Sequence, residues 1–419
     1  MIDTTSIKVG WFLGIRQLKR SSLWSTVLII VIMTLTFLNL VVVSGLLVGL
    51  IEGAVSAAKD RYTGDLIIST LEEKDFIENS REVVSILESI PGVETVSPRY
   101  IASGVLQSNY KERTNFNNDI EEAAAIIAGI DPTKENRVTG IESTLVDGEY
   151  LEDGDFDQVV IGALMLSEYL PIDSPGFVVL DGVEIGSEIR LRIGDITREV
   201  TVKGIVRSKV DEIDRRLFMV DSQLRAMIDR DDFNVGEISV IINTDEISTE
   251  RVKEILIANG IDKVAKVQTS IDAQPKFLQD IKRTFSLLGT IISSIGLVVA
   301  TITVFIVIFI NAITRRKYIG IMKGIGISAN AIEFSYVVQS LIYAVVGSIA
   351  GVLMVYLLLI PYFASHPINF PFSDGILVAP LGITMFRLVL LIITTMLAGY
   401  IPARIIVGKN TLDSILGRK

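Results

Sequence analysis

Long apolar runs alternate with charged segments along this chain of 419 residues. Four of the runs are free of charged residues, or carry one near each edge, over roughly the 20 residues that an α-helix needs to cross a bilayer. They cover residues 21–51, 284–314, 334–363 and 386–406. The pattern predicts four membrane spans, with a long polar segment between the first and the second.

Acidic and basic residues are divided unequally between these segments. Residues 52–283 contain 45 Asp and Glu against 26 Lys and Arg, whereas the rest of the chain contains 4 acids and 13 bases. Most of those 13 bases flank the apolar runs at the N-terminus, in the segment 315–333 and in the tail. Short basic segments beside spans stay in the cytoplasm, whereas a long acidic segment can be translocated. We therefore predict a multi-pass protein of the cell membrane with cytoplasmic termini and a large extracytoplasmic domain.

Residue patterns within the polar segment predict two strand–helix–strand units. The first has its helix at 75–90 and the second at 249–258, each with apolar residues at helical spacing. Several short β-rich runs separated by turn residues lie between the two units. The predicted fold class is therefore a membrane protein with four transmembrane α-helices and a large α+β extracytoplasmic domain, made of a ferredoxin-like layer and a β-rich insert.

These patterns also give expected boundaries. They are a cytoplasmic interfacial segment at 1–20, span one with its stalk at 21–58, the first half of the α+β layer at 59–136, the insert at 137–232, the second half of the layer at 233–270, a stalk and span two at 271–314, a cytoplasmic loop at 315–333, span three at 334–363, an external loop at 364–385, span four at 386–406 and a cytoplasmic tail at 407–419.

Composition narrows the possible chemistry. The chain has no cysteine and one histidine, His366, so it has no disulfide framework and too few histidines for a His-rich metal site. A net charge of −10 argues against nucleic acid as a partner. No phosphate-binding G-x-x-x-x-G-K-[ST] sequence is present, which predicts that the chain binds no nucleotide and is not an enzyme. Asp153, Asp155 and Asp157 alternate as in a calcium loop but lack its glycine and final glutamate, which favours a solvated turn.

Small residues recur every four positions in two of the spans. Gly45, Gly49 and Gly53 form one such stripe, and Gly347 and Gly351 form another. Small residues let helix backbones approach closely in a membrane. Two interpretations stay open: packing within one chain, or a seam between two chains. Arg387, at the edge of span four, is interpreted as a residue that reaches the lipid headgroups, with a substrate contact as the alternative.

Four segments resemble one family of membrane proteins. The loop after span two, TRRKYIGIMKGIGIS, is similar to the pattern R-x-x-E-I-G-x-x-x-A-x-G-A, and the end of span four, AGYIPARIIVGK, is similar to G-x-x-P-A-R-x-A. The basic entry to span one and the segment GEYLEDGDFDQVVIG in the insert also fit. Together with the order of one span, a large domain and three spans, these segments resemble the ABC-transporter permeases of the MacB/FtsX/lipoprotein-release type.

The resemblance implies partners rather than a site for chemistry within this chain. It implies a dimer of a separate cytoplasmic ABC ATPase, which would hold the ATP and Mg²⁺, a second permease chain, identical or different, and in some members an extracytoplasmic adaptor or hydrolase. The loop after span two would receive the motion of the ATPase. The residues expected to carry this coupling are Arg315, Arg316, Ile319, Gly320, Ile321, Met322, Lys323, Gly324 and Gly326, and a second motif, Pro402, Ala403 and Arg404, would end span four.

The chain departs from the family pattern at three points. Tyr318 stands where the family usually has glutamate, and Gly324 stands where it usually has alanine. The tail reads Asn410-Thr411-Leu412-Asp413 in place of the usual Pro-Ile-Glu-Ala. The expected function is ATPase-driven export of a hydrophobic or amphipathic substrate. The alternative is an ATPase-coupled regulator of a cell-wall hydrolase that transports nothing.

Overall fold

The computed structural model describes residues 4–111, 121–170, 178–274, 276–370 and 373–408. The tail residues Asn410 to Asp413, which depart from the family pattern, lie outside the described residues. The described residues form two compact units, the first within residues 1–51, 280–368 and 375–419 and the second within residues 52–279 and 369–374.

Thirteen α-helices are present in the described part of the chain. They are α1 (Thr4–Lys19), α2 (Leu23–Leu38), α3 (Ser44–Ala58), α4 (Ser80–Ser89), α5 (Pro132–Thr139), α6 (Asp211–Asp214), α7 (Asp221–Met227), α8 (Thr249–Ala258), α9 (Lys276–Thr314), α10 (Arg316–Gly324), α11 (Ala329–Met354), α12 (Ile360–Ser365) and α13 (Leu381–Val407). Three π-helical segments, Asn39–Val43, Lys59–Thr63 and Val355–Leu359, join or extend helices without interrupting them.

Twelve strands are present in the same residues. They are β1 (Leu66–Ser69), β2 (Val93–Ser108), β3 (Glu121–Ile130), β4 (Leu145–Gly148), β5 (Gln158–Gly162), β6 (Glu188–Ile193), β7 (Ile196–Val206), β8 (Arg216–Val220), β9 (Glu237–Ile242), β10 (Lys266–Thr269), β11 (Ile368–Phe370) and β12 (Ser373–Gly375).

Four helical stretches of the first unit are long and apolar enough to cross a membrane. They cover Leu23–Thr63, Asp280–Thr314, Ala329–Ser365 and Leu381–Val407. The predicted number and order of spans is therefore confirmed, although the helices extend beyond the apolar runs, and the first of them continues into residues 52–63 of the second unit. The expected stalk from residue 271 is helical only in part, because residues 271–274 form turns and α9 begins at Lys276.

Helix α11 lies at the centre of the first unit and packs against α1, α2 and α13. Its buried side includes Ile332, Tyr336 and Tyr343, which join a cluster with residues of α2, α9 and α13. Within the segment 1–20 the chain forms helix α1. It approaches α11 closely, because a Cβ on Gly10 would lie 2.7 Å from the carbonyl oxygen of Ala331, and one on Gly14 would lie 2.9 Å from that of Ser335.

The second unit contains the ferredoxin-like layer that the sequence predicted. Its strands follow the order β10-β1-β9-β2, all neighbours are antiparallel, and α4 and α8 are the two crossover helices. This is the strand order of a split β-α-β fold. The predicted fold class is confirmed.

Strand β2 connects this layer to the insert. Residues 93–99 of β2 pair with β9, and residues 100–108 pair with β3. The sheet then continues through β8, β5, β7 and β4, and β6 closes against β2 and β7. The sheet of the insert therefore begins with β3, before the expected boundary at residue 137, because β3 pairs with residues 100–108 of β2 on one side and in parallel with β8 on the other.

Helix α4 is shorter than the predicted helix at 75–90. Asn79 adopts a left-handed conformation with φ of 55°, and the amide of Ile77 donates to the carbonyl oxygen of Val235 at 2.8 Å. Residues 75–79 are therefore held as a loop with Ile77 buried. Ile77 is therefore buried by the packing of this loop and not by an additional helical turn.

Candidate functional site

Helix α10 follows span two after a single non-helical residue, Arg315. Its C-terminal end is fixed by Gly326, which has φ of +95°. The amide of Gly326 donates to the carbonyl oxygen of Lys323 at 3.1 Å, and the amide of Ile327 donates to that of Met322 at 3.0 Å. These two bonds form a Schellman motif, in which a left-handed residue is required and glycine is the favoured one. The chain is thereby turned sharply into α11.

One side of α10 packs against the end of the last helix. Ile319 is 2% exposed and belongs to a buried cluster with Ala403, Ile406 and Val407 of α13. The Lys323 ammonium donates to the carbonyl oxygen of Val407 at 2.9 Å. A cation at the C-terminal end of a helix is favoured by the helix dipole. Helix α10 is therefore attached to spans two and four within the same chain.

The opposite side of α10 is exposed and apolar. Tyr318, Ile321 and Ile325 are 68%, 51% and 73% exposed, and their spacing of three and four places them along one helical face. Helix α10 contains three basic residues and no acidic one. This combination, an apolar stripe beside basic side chains, is typical of a surface that contacts a protein partner.

The nine residues expected to carry coupling are divided between these two sides. Ile319 and Gly320 are buried and Lys323 is bonded to α13, so they attach α10 to its own chain. Ile321, Gly324 and Gly326 are exposed, while Arg315, Arg316 and Met322 are half-buried. The most exposed apolar side chains, Tyr318 and Ile325, were not among the expected residues. Their spacing with Ile321 is the signal in the sequence that could have identified them.

The motif Pro402-Ala403-Arg404 lies inside α13 and does not end it. The helix continues to Val407, with Pro402 and Ala403 buried and Arg404 exposed. The guanidinium of Arg404 donates to the hydroxyl of Tyr400 at 3.0 Å. The small Ala403 side chain allows α10 to pack closely, so the motif forms the surface on which α10 is held.

The glycine stripes are used for packing inside the first unit. A Cβ on Gly347 would lie 2.4 Å from the Cβ of Met33, and one on Gly351 would lie 2.5 Å from the ring of Phe37. Cβ atoms on Gly45 and Gly49 would collide with residues 376–378. These contacts favour packing within one chain over a seam for those four glycines. Gly53 is half-buried.

A further stripe of small residues, on α9, was not recognised from the sequence. A Cβ on Gly289 would lie 3.1 Å from the Cα of Ser44, and one on Gly296 would lie 2.3 Å from the amide oxygen of Asn39. Ser293, between them, donates to the carbonyl oxygen of Leu40 at 3.3 Å. Spans one and two therefore pack against each other through this stripe on α9.

The acidic turn near residue 155 is engaged with basic side chains. Asp155 forms an ion pair of 2.8 Å with Lys203 and accepts the amide of Glu152 at 2.7 Å, and Asp157 lies 3.4 Å from Arg198. Among the described residues, no group of three or more His, Asp or Glu side chains has the spacing of a metal site.

A buried network of charges in the second unit holds the C-terminal end of the first helical stretch, Leu23–Thr63. Arg99 is fully buried and makes two bonds to Glu135, from Nε at 2.9 Å and from Nη2 at 2.8 Å. Arg216 makes two bonds to Glu237, at 2.9 and 2.8 Å. Tyr62, in the π-helical segment Lys59–Thr63, contacts three of them: its carbonyl oxygen accepts from Arg99 at 2.8 Å, and its hydroxyl donates to Glu237 at 3.0 Å and accepts from Arg216 at 3.2 Å.

This five-residue network joins elements that are far apart in sequence. Arg99 lies on β2, Glu135 on α5, Arg216 on β8 and Glu237 on β9. The network therefore connects the ferredoxin-like layer and the insert to one helical end. Sequence patterns gave only a weak indication: Glu237 is the one charged residue of β9, and Arg99 is one of two in β2.

Glu237 should give the stability of this domain a distinct dependence on pH. Burial alone would raise the pKa of Glu237, but Arg216, Arg99 and the Tyr62 hydroxyl stabilise the carboxylate and lower the pKa from 4.5 to about 2. Because the pKa is lowered in the folded state, the ionised Glu237 carboxylate contributes fully to the free energy of unfolding above pH 4.5. This contribution is lost as the pH falls toward 2. We expect the free energy of unfolding of wild type to fall by about 3 kcal/mol over this pH window. In Glu237→Gln this pH dependence should be absent.

The measurement is amide hydrogen exchange of β2 and β9 in the full chain, corrected for the intrinsic exchange rate at each pH. Fluorescence is unsuitable because both tryptophans, Trp11 and Trp24, lie outside the second unit. A difference between wild type and Glu237→Gln that does not change between pH 6 and pH 3 would contradict the role given to this carboxylate.

Comparison with known proteins identifies the membrane part of the chain. Residues 290–411 match the family model described as the FtsX-like permease C-terminal domain. These residues form an FtsX-like permease domain. The match includes α10, α11 and α13, and it confirms the resemblance to ABC permeases of the MacB/FtsX type. Permeases of this family are membrane subunits of ABC systems, so a cytoplasmic ABC ATPase is the implied partner.

Two solved structures are similar to about half of this chain. The periplasmic region of MacB from Actinobacillus actinomycetemcomitans is 18% identical, with 51% of this chain and 92% of that chain covered and a TM-score of 0.34. The extracellular domain of the noncanonic ABC-type transporter YknZ from Gram-positive bacteria is 14% identical, with 49% and 98% covered and a TM-score of 0.31. No curated protein sequence matches the chain significantly.

Proposed function

We propose that this permease couples ATP hydrolysis by a separate cytoplasmic ATPase to motion of its extracytoplasmic domain, and that this motion exports a hydrophobic or amphipathic substrate. The observation that carries the proposal is helix α10, which has one side fixed to its own chain and an apolar side exposed. An ATPase would bind the exposed side, formed by Tyr318, Ile321 and Ile325.

Motion of the ATPase would reach spans two and four directly. Helix α10 is separated from α9 by one residue, and Ile319 and Lys323 attach it to the end of α13. Closely packed interiors transmit displacement instead of absorbing it. A shift of α10 would therefore move both spans as a group.

Span one would transmit the motion to the extracytoplasmic domain. The helical stretch is continuous from Leu23 to Thr63. Its last residues are held by the buried network and by Arg61, which donates to the carbonyl oxygen of Gly140 at 2.9 Å. The fixed end leaves little freedom for the helix to turn independently of the strands it contacts.

A second permease chain would complete the assembly. Helix α9 exposes an apolar stripe at helical spacing that includes Ile291, Ile295, Val298 and Ile302. Such a stripe suits lipid or another span. A pair of chains would present two α10 helices to the two subunits of an ATPase dimer.

The chain lacks cysteine, so a single introduced cysteine tests both partner and orientation. In cells, Tyr318→Cys should cross-link to the ATPase and resist a membrane-impermeant thiol reagent. Ser89→Cys, which lies exposed on α4, should react with the same reagent and give no cross-link. Reaction of Tyr318→Cys from outside, or protection of Ser89→Cys, would overturn the proposed orientation.

A further inference from the structure

Arg387 is a charged residue at one edge of the apolar run that forms span four. It lies in the second turn of α13, and Arg404 lies 17 positions later in the same helix. At about 1.5 Å per residue the two are about 26 Å apart, close to the thickness of the hydrocarbon layer. Arg387 therefore lies at the end of span four that is remote from α10.

The guanidinium of Arg387 has a hydroxyl partner and no acidic one. Its Nη2 donates to Ser44 Oγ at 2.6 Å, and the side chain is half-buried. Among the side chains that the structure describes, no carboxylate forms an ion pair with it. A cation at the edge of a span without a protein counter-ion is well placed to meet a negative group in the lipid headgroups.

The local helix geometry brings polar groups to this end of span four. Ser44 directly follows the π-helical segment Asn39–Val43, and Tyr356 lies in the π-helical segment Val355–Leu359 of span three. The Tyr356 hydroxyl donates to the carbonyl oxygen of Ala379 at 2.9 Å, next to the start of α13. Segments of π-helix within α-helices are frequent at functional sites.

The surface around Arg387 is otherwise apolar. Ile383 and Phe386, on the same two turns of α13, are 50% and 68% exposed. A molecule that satisfies both features carries an anionic group beside hydrocarbon. A guanidinium presents a planar set of donors that matches phosphate, and only one of its nitrogens is bonded to Ser44.

We propose that Arg387 and Ser44 bind the phosphate group of an anionic membrane lipid whose acyl chains lie along Ile383 and Phe386. Ser44 accepts from Arg387, so its own hydroxyl proton can be donated to the phosphate. This site is separate from the ATPase-binding surface, and the proposal does not depend on coupling. It assigns a lipid ligand to the permease at the end of the spans opposite α10.

The test uses the purified full-length chain in neutral detergent with three probes: phosphatidylglycerol, diacylglycerol with the same acyl chains, and soluble glycerol 3-phosphate. Native mass spectrometry measures the lipid that remains bound. Wild type should retain phosphatidylglycerol about tenfold more strongly than Arg387→Gln, because a charge-assisted bond pair is lost. Arg387→Lys should be intermediate. Retention of diacylglycerol should be weak and the same in all variants.

Equal retention of phosphatidylglycerol by wild type and Arg387→Gln would overturn the proposal. Full competition by millimolar glycerol 3-phosphate would overturn its lipid part, since a free phosphate would then suffice. If Arg387→Gln does not fold, Ser44→Ala decides, with a several-fold loss expected and an unchanged value contradicting the site. A variant of α10 such as Ile321→Asp should retain lipid normally, so failure here and failure of the coupling proposal are distinguishable.

Discussion

Replacing Ile321 by aspartate should reduce stimulation of the partner ATPase by at least about tenfold. Ile321 is the middle residue of the exposed apolar stripe on α10, and a charge there would be buried without a partner when the ATPase binds. Tyr318→Asp should have a similar effect. The measurement is ATP hydrolysis by the purified ATPase, with and without the permease in lipid nanodiscs.

Asn330→Asp is the matched control. Asn330 is exposed in the first turn of α11, in the same segment between spans two and three, so the variant adds the same charge nine positions away. A negative charge at a helix N-terminus is stabilising, so this variant should fold and stimulate normally. If Ile321→Asp and Asn330→Asp stimulate equally well, the exposed side of α10 is not where the ATPase binds.

The distinction between the two sides of α10 could not be obtained from the family pattern alone. The family pattern located the loop. It also located Gly326 before α11, because a backbone position with positive φ favours glycine. Ile319 and Ile321 have the same chemistry and lie two positions apart. Which of them faces α13 depends on where the helix begins, and one non-helical residue, Arg315, sets that phase.

A similar limit applies to the extracytoplasmic domain. Alternation and turn residues gave the strand–helix–strand units, because each strand buries one face against its own helix. Local pattern does not reveal that β3 pairs with β8, since the two strands are separated by more than 80 residues. It also does not reveal that Glu135 on α5 faces Arg99 on β2, a pairing that depends on how the finished sheet is covered.

The second large effect concerns that pair. Arg99→Met should destabilise the extracytoplasmic domain by about 3–5 kcal/mol, because it leaves Glu135 buried without its cation. Both side chains are fully buried, so water cannot replace the lost bonds. Protection of β2 and β9 against amide hydrogen exchange should fall, whereas exchange in α11 should be unchanged, since that helix belongs to the other unit.

The double variant Arg99→Met with Glu135→Leu separates the charge effect from simple loss of packing. Removing both ions avoids an uncompensated buried charge, and apolar pairs of similar size often replace buried ion pairs at little cost. Recovery will be incomplete, because Ser97 and the carbonyl oxygen of Tyr62 also lose bonds, of 2.8 Å each. The double variant should nevertheless be more stable than Arg99→Met alone. The contradicting result is a double variant that is less stable than the sum of the two single changes predicts. Arg99 and Glu135 would then not form the compensating pair that fixes the end of the first span's helix, and the proposed motion would have to reach the domain by another route.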